Sequence, residues 1–163
     1  MSRSATQHRN DRAVAPLPHA RSERTQSVHW TIEVLVVEDD EADRALITDA
    51  LKRHPNVSAI HATDSPDQAL IDLGSGRLRP HLIFLDINMP RLNGFQFLEG
   101  LRLIPEMRET DVVVLTTSAL ARDVREACTN GVSLYIVKPD SHAELKARLG
   151  IVVNQARTGT WGA

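Results

Sequence analysis

The stretch HLIFLDINMPRLNG, residues 81–94, decides how this sequence is interpreted. It begins with an apolar run of strand length that ends in one carboxylate, Asp86, and Asn88 follows two residues later. A carboxylate beside buried apolar side chains is unfavourable unless a partner compensates its charge. Asp86 therefore needs partners from elsewhere in the chain.

Strands and helices alternate on both sides of this stretch. Further short apolar runs of strand type are TIEVLVV (31–37), VSAIHA (57–62), DVVVLTTS (111–118) and SLYIV (133–137). Helical spacing and end signals predict five helices, over 41–54, 65–73, 94–104, 121–130 and 142–156. Five strands alternating with five helices indicate an α/β fold, a doubly wound parallel sheet covered on both faces.

Two local details accompany this pattern. In the first predicted helix, helical spacing groups five residues: Ala42, Ala45, Leu46, Asp49 and Ala50. Gly94, which opens the third helix, is interpreted as a residue that permits a tight turn.

Bulk composition narrows the classes of function. The chain has 163 residues, of which 42% are hydrophobic and 25% charged, and its net charge of -2 gives no reason to expect nucleic-acid or membrane binding. One cysteine, Cys128, excludes an internal disulfide and is typical of a reducing compartment. Since no apolar run approaches the roughly 20 residues that cross a bilayer, we predict a cytoplasmic protein.

Residues 1–29 differ from the rest of the chain. They contain five arginines and two prolines and have almost no apolar pattern. So little apolar surface cannot offset the entropy of ordering, so we predict a disordered tail; a mis-assigned start codon and a weak partner-binding arm are the alternatives. Residues 30–157 then form the folded domain, and residues 158–163 a C-terminal tail.

Polar side chains stand where four predicted strands end. They are Glu38, Asp39 and Asp40 after the first strand, Asp86 after the third, Thr116, Thr117 and Ser118 in the fourth, and Lys138 after the fifth. In doubly wound sheets the binding residues lie beyond the carboxyl ends of the strands, where the strand order reverses. If the first strand lies between the second and third, these groups share one shallow pocket.

Several carboxylates in one pocket require a cation. Two of them about 4 Å apart repel by roughly 4 kcal/mol at an effective dielectric near 20. The donors are few and are hard oxygens, which favours Mg²⁺ with several retained waters. Together with Lys138, the metal would make a site for a tetrahedral dianion, where Asp86 is free to attack phosphorus and Thr116 to bond a phosphoryl oxygen.

Four motifs in order, VLVVEDD, FLDINMPRLNG, VVVLTTS and YIVKP, resemble the receiver domain of two-component response regulators. The intervals between Asp39, Asp86, Thr116 and Lys138 are 47, 30 and 22 residues, in keeping with that family. LTTS and YIVKP are also similar to single-domain receivers that accompany bacterial phytochromes. The likeness covers residues 31–157 and implies a flavodoxin-like fold with strand order 2-1-3-4-5.

The resemblance implies a role for each site residue. Asp86 would be the phosphoacceptor, and Thr116 and Lys138 would contact the phosphoryl group. The Mg²⁺ ligands would be Glu38, Asp39, Asp86 and the backbone carbonyl of Asn88.

Further implications concern switching and geometry. Thr116 and Tyr135 would be the switch residues, and Lys138-Pro139 would be a cis peptide. Glu38 replaces the Asp of many receivers, and whether Asp40 faces the ion is open.

The implied function is that of a single-domain response regulator. A sensor histidine kinase, such as a bacterial phytochrome, would phosphorylate Asp86 and bias a two-state equilibrium. Only 24 residues follow Pro139, so we expect no fused DNA-reading domain. Output would pass through a phosphotransfer or output protein, or through a homodimer. We expect no enzymatic activity beyond Mg²⁺-dependent self-phosphorylation and self-dephosphorylation.

Two other classes of protein have related sites. An aspartyl-phosphate phosphatase is the main alternative, although its nucleophile is followed two residues later by an acid, where this chain has Asn88. A flavin-binding flavodoxin is the other, although the acidic loop at residues 38–41 would repel a phosphate. Steady turnover of a phosphomonoester, or a bound yellow chromophore, would favour these alternatives.

Overall fold

The computed structural model describes residues 30–90 and 92–161. The predicted disordered tail, residues 1–29, lies outside the described residues. The strands are β1 (Ile32–Val37), β2 (Val57–Thr63), β3 (Leu82–Leu85), β4 (Asp111–Thr116) and β5 (Leu134–Val137). The helices are α1 (Glu41–Lys52), α2 (Pro66–Gly74), α3 (Gly94–Leu103), α4 (Ala121–Thr129) and α5 (His142–Thr158). A short 3-10 helix that the sequence did not predict, Pro105–Met107, follows α3.

The five strands form one parallel sheet in the order β2-β1-β3-β4-β5. The predicted fold class and strand order are therefore confirmed. The order reverses between β1 and β3, which lie side by side, because the chain first builds outward to β2 and then crosses to β3. This reversal point fixes where the binding groups gather.

Side chains of successive strand residues point to opposite faces of the sheet and enter different cores. On one face Val34 and Val36 of β1 pack with residues of α1 and α5. On the other face Leu35 and Val37 pack with residues of α2 and α3. All four residues of β3 are buried, so its sequence is apolar throughout because helices cover both of its faces.

The two terminal helices of the sequence differ in detail from their predictions. In α1 the fully buried residues are Ile47 and Leu51, whereas the Asp49 side chain is 69% exposed. Helix α5 continues to Thr158, and Gly159 ends it in a left-handed conformation with φ of 67°. Trp161 packs against the core beneath α1 and α5.

Arg102, near the end of α3, ties two loops together. Its guanidinium donates to the backbone carbonyls of Met107, Arg108 and Thr110, before β4, and to that of Gly131, before β5. Nη1 faces three of these oxygens with two N–H groups, so one N–H is shared between two carbonyls, and Nη2 donates to the fourth oxygen. The end of the sheet opposite the binding groups is thereby fixed.

No helix in residues 30–90 and 92–161 has the length and hydrophobicity that crossing a bilayer requires.

Candidate functional site

The strand order brings three charged residues together at the carboxyl edge of the sheet. Each of them continues the backbone ladder one step beyond its strand. The amide of Glu38 donates to the Thr63 carbonyl at 3.0 Å, that of Asp86 to Val37 at 3.0 Å, and that of Lys138 to Thr116 at 2.7 Å. The sheet itself therefore fixes the positions from which these side chains start.

Glu38, Asp39 and Asp86 form an acidic group that is able to hold a metal ion. Each offers a carboxylate oxygen, and these oxygens all lie within 4.8 Å of one another. Glu38 is 1% exposed and Asp86 7% exposed, whereas Asp39 is open to solvent. Three hard oxygen donors at a partly open edge fit Mg²⁺, which keeps several of its waters.

Lys138 is the cation next to this group, and its side chain is 8% exposed. Its Nζ lies 2.7 Å from Glu38 Oε2, 2.6 Å from Asp43 Oδ2 and 3.7 Å from Asp86 Oδ2. Burial lowers the pKa of Lys138, but the hydrogen bonds to Asp43 and Glu38 and the nearby carboxylate charges outweigh it, so the pKa is raised. Lys138 is therefore a cation at neutral pH.

Burial dominates the ionisation of Glu38. It raises the pKa of this carboxyl to about 7, against the opposing effects of the hydrogen bond and charge of Lys138, and the charge of Asp86 adds to the rise. A further cation beside Glu38 would favour its ionised form.

Asp40 belongs to the helix and not to the acidic group. Its carboxylate accepts from the Asp43 amide at 2.9 Å and caps the N-terminus of α1. This places the next turn of α1 beside the acids, so that Asp43 and Arg44 reach the site. Neither was predicted, because the run of four acids at residues 38–41 does not show which of them caps the helix.

Arg44 supports the loop that carries the acidic pair. Its Nη1 donates to the backbone carbonyl of Glu38 at 2.8 Å and to that of Asp39 at 3.2 Å. The side chain of a helix residue thus holds the backbone of the preceding loop.

Asn88 connects Asp86 to Thr116. Its backbone amide donates to Asp86 Oδ1 at 3.1 Å, and its side-chain Nδ2 donates to Thr116 Oγ1 at 3.0 Å. Thr116 is fully buried, whereas Thr117 is exposed, so Thr116 is the threonine that the structure brings to the site. The role of the Asn88 carbonyl as a metal ligand stays a prediction.

Tyr135 faces the loop between β4 and α4. Its hydroxyl donates to the Ser118 carbonyl at 3.0 Å, and the Ser118 hydroxyl donates to the carboxylate of Asp123, which is 9% exposed. Tyr135 therefore contacts the segment that directly follows Thr116.

The Lys138-Pro139 peptide is trans, so the prediction of a cis bond is wrong; among the described residues no peptide bond is cis. The trans form is the ordinary state of a peptide bond before proline, and it is more stable than the cis form by about 0.5–1 kcal/mol.

Gly94 serves close packing rather than a turn. It is the buried first residue of α3, and it is not among the glycines with positive φ. A Cβ at this position would lie 2.6 Å from Ile87 Cα and 2.7 Å from the Asp86 carbonyl oxygen. These are backbone atoms, which cannot move aside without displacing Asp86.

Replacing Gly94 with alanine should therefore lower the free energy of unfolding by about 2 kcal/mol, a typical cost of overpacking. Gly150→Ala is the matched control, because its Cβ would meet only His54 at 3.7 Å, an ordinary contact. This helical substitution should stabilise the protein by about 0.5–1 kcal/mol. Urea denaturation of both variants checks the difference, and equal stabilities would contradict it.

A family model described as response regulator receiver domain matches residues 34–150. The chain belongs to this family. The predicted resemblance is thus confirmed, and the chain is a receiver domain of phosphorelay signalling. Nothing in the comparisons favours the phosphatase alternative.

Two curated relatives show the range of proteins that contain such a domain. The probable methanogenesis regulatory protein FilR2 of Methanothrix harundinacea is 35% identical over 117 residues, which cover 69% of this chain and 76% of FilR2. A protein-glutamate methylesterase/protein-glutamine glutaminase of Saccharophagus degradans is 32% identical over 70% of this chain, but the match spans only 32% of that relative. The chain thus covers about a third of this enzyme.

Two solved structures are similar throughout the fold. Response regulator RPA3017, in red light signaling of R. palustris, is 30% identical with a TM-score of 0.64, covering 76% of this chain and 92% of that one. The Mn²⁺-bound form of response regulator Rcp1 is 28% identical with a TM-score of 0.67, covering 74% and 91%. Metal-bound and light-signalling receivers are therefore among the relatives of this domain.

Proposed function

We propose that Asp86 accepts a phosphoryl group from the phosphohistidine of a sensor histidine kinase. The observation that carries the proposal is the surroundings of Asp86. This carboxylate lies within the acidic group on one side, and its Oδ2 is 3.7 Å from Lys138 Nζ on the other. Of the three residues in the acidic group, Asp86 alone follows a strand whose end lies beside Asn88 and Thr116.

Glu38, Asp39 and Asp86 would hold Mg²⁺, with the Asn88 carbonyl as a further ligand. The donor set fits this ion, and the Mn²⁺-bound form of Rcp1 supports a divalent cation here. When bound, the metal supplies positive charge that offsets the phosphoryl oxygens and the crowded carboxylates.

The transfer itself uses residues of this chain. A carboxylate oxygen of Asp86 attacks the phosphorus, a P–O bond forms, and the P–N bond to the donor histidine breaks with its electron pair returning to that nitrogen. Lys138 neutralises charge on the phosphoryl oxygens, since ammonium and phosphoryl groups form strong charge-assisted hydrogen bonds. The Thr116 hydroxyl is the further group that can bond a phosphoryl oxygen.

Thr116 and Tyr135 would transmit the phosphorylation of Asp86 to the surrounding structure. The Thr116 hydroxyl now accepts from Asn88 Nδ2 at 3.0 Å, and on phosphorylation its own proton would be donated to a phosphoryl oxygen. Thr116 is followed two residues later by Ser118, whose carbonyl accepts from Tyr135. A shift of this loop is therefore coupled to the Tyr135 side chain, and acyl phosphate would bias the population of the shifted state.

The proposed setting is a cytoplasmic two-component system. A bacterial phytochrome is the proposed kinase, supported by the LTTS and YIVKP motifs and by the similarity to RPA3017. Residues 30–157 would be the receiver unit, with output through a phosphotransfer or output protein or a homodimer.

Incubation of the protein with Mg²⁺ and acetyl phosphate tests this function. We expect one phosphoryl group per chain by intact mass, lost at alkaline pH as an acyl phosphate is, and absent when EDTA replaces Mg²⁺. Reductive trapping and peptide mapping should place the group on Asp86. A base-stable group, or one mapped to another residue, would overturn the proposal.

A further inference from the structure

Asp43 has no role in the site described so far, yet it makes the shorter of the two hydrogen bonds of Lys138. Its Oδ2 lies 2.6 Å from Lys138 Nζ, and its side chain is 37% exposed. It is not a member of the acidic group formed by Glu38, Asp39 and Asp86. We propose that Asp43 is a positioning residue that aims the Lys138 ammonium at the phosphoryl group on Asp86.

The donors of Lys138 support this role. An ammonium has three N–H groups, and the carboxylates of Glu38 and Asp43 accept two of them at 2.7 and 2.6 Å. Asp86 Oδ2, at 3.7 Å, is too far for a hydrogen bond. One N–H is thus left for an oxygen that arrives on Asp86, and phosphorylation does not require Lys138 to give up either partner.

Glu38 and Asp43 differ in their other contacts, which explains why Lys138 needs Asp43 as a second carboxylate partner. Glu38 Oε1 accepts from the Asp40 amide at 3.2 Å, and Glu38 would also hold the metal. A carboxylate that binds a divalent cation holds an ammonium less strongly, because the two cations repel each other. Asp43 stands outside the acidic group and remains available to Lys138 when the metal is bound.

Lysine has a flexible four-carbon stem and no geometric preference of its own. A single carboxylate would leave the ammonium free to pivot, whereas two fix its direction. Asp43 is itself fixed, because its backbone amide donates to the α1 cap, Asp40. The contact therefore joins the start of α1 to the end of β5 through one side-chain pair.

The test compares Asp43→Ala and Asp43→Asn with Glu41→Gln. Glu41 is an exposed acid in the same first turn of α1 and is the matched control for the loss of one negative charge near the helix N-terminus. Incorporation of phosphate from acetyl phosphate at saturating Mg²⁺ should slow about tenfold in Asp43→Ala, because misplacing a catalytic group has costs of this order or more. Asp43→Asn should slow less, since its amide oxygen still accepts, and Glu41→Gln should match wild type.

Combining Asp43→Ala with Lys138→Met separates positioning from a general structural effect. If Asp43 acts through Lys138, the double variant incorporates phosphate no more slowly than Lys138→Met alone. An equal further slowing in both backgrounds, or a wild-type rate in Asp43→Ala, would overturn the inference.

The inference rests on the proposed function, so one measurement is independent of phosphorylation. Reaction of the folded protein with an amine-reactive ester, followed by mass spectrometry, reports how freely the Lys138 ammonium moves. Its labelling should rise several-fold in Asp43→Ala and stay unchanged in Glu41→Gln. Increased labelling in a protein that takes up no phosphate would refute the proposed function alone, whereas unchanged labelling would refute the positioning role.

Discussion

Replacing Asp86 with asparagine should abolish phosphoryl incorporation from acetyl phosphate. The amide has nearly the same shape as the carboxylate but is not a nucleophile, and it replaces one of the three carboxylates of the acidic group by a neutral group. The strand ladder is unaffected, because the Asp86 contribution to it is a backbone amide that donates to Val37. Intact-mass spectrometry should show only the unmodified chain after the incubation that modifies wild type.

Asp64→Asn is the control for this variant. Asp64 is an exposed acid that directly follows β2 at the same edge of the sheet, and it is not a member of the acidic group. The substitution makes the same change in charge and should leave the incorporation unaltered. Incorporation by Asp86→Asn at the wild-type rate would mean that another residue is the acceptor.

Replacing Lys138 with methionine should lower the free energy of unfolding by about 4 kcal/mol at neutral pH without divalent cations, the usual scale for breaking a buried ion pair. The change leaves Glu38 and Asp86, which are 1% and 7% exposed, without the cation that lies between them. Methionine retains the length of the buried stem, so little packing is lost. The same variant should also incorporate phosphate far more slowly.

The sign of the pH dependence follows from Glu38. Its pKa is already raised from 4.5 to about 7, so the folded state binds the proton more tightly than the unfolded state does. Its contribution to stability therefore falls as pH rises from 4.5 and levels off above about 7. Without Lys138 this pKa rises further, so the loss of stability continues to higher pH in Lys138→Met, and its deficit relative to wild type should grow as pH rises above about 7.

Urea denaturation checks both statements, with Lys146→Met, an exposed lysine of α5, as the matched control. Mg²⁺ should restore part of the lost stability, because a bound divalent cation replaces the missing charge and stabilises the folded state by mass action. A loss below about 1 kcal/mol, the scale of a surface ion pair, would show that Lys138 does not compensate buried carboxylates.

The sheet was largely predictable, and the reasons are physical. A strand buried on both faces must be apolar throughout, as in β3. In the sequence, apolar runs of this kind alternate with segments of helical spacing. Burial within α1 was less accessible to prediction: helical spacing grouped Ala42, Ala45, Leu46, Asp49 and Ala50, whereas the buried residues of this helix are Ile47 and Leu51. Several hydrophobic residues on one short helix fit more than one stripe, and contact with α5 decides between them.

The residues of the candidate site that stand at strand ends were predicted from the sequence. Glu38, Asp86, Thr116 and Lys138 do so, and the structure brings them together. Asp43 and Arg44 were not predicted, because their approach depends on the direction in which α1 leaves the loop. That direction follows from the Asp40 cap, which a run of four acids does not single out.

The backbone hydrogen bonds of Glu38, Asp86 and Lys138 have a consequence for local unfolding. All three amides continue the sheet ladder, so these residues belong to the cooperative unit that opens only with the core strands. The residues that follow Thr116, by contrast, are held through side chains: the Ser118 amide donates to Thr116 Oγ1, the Ser118 hydroxyl to Asp123, and the Tyr135 hydroxyl to the Ser118 carbonyl. The loop after β4 can therefore open while the three charged residues stay in place, and the stability of the whole sheet offsets the repulsion between Glu38 and Asp86.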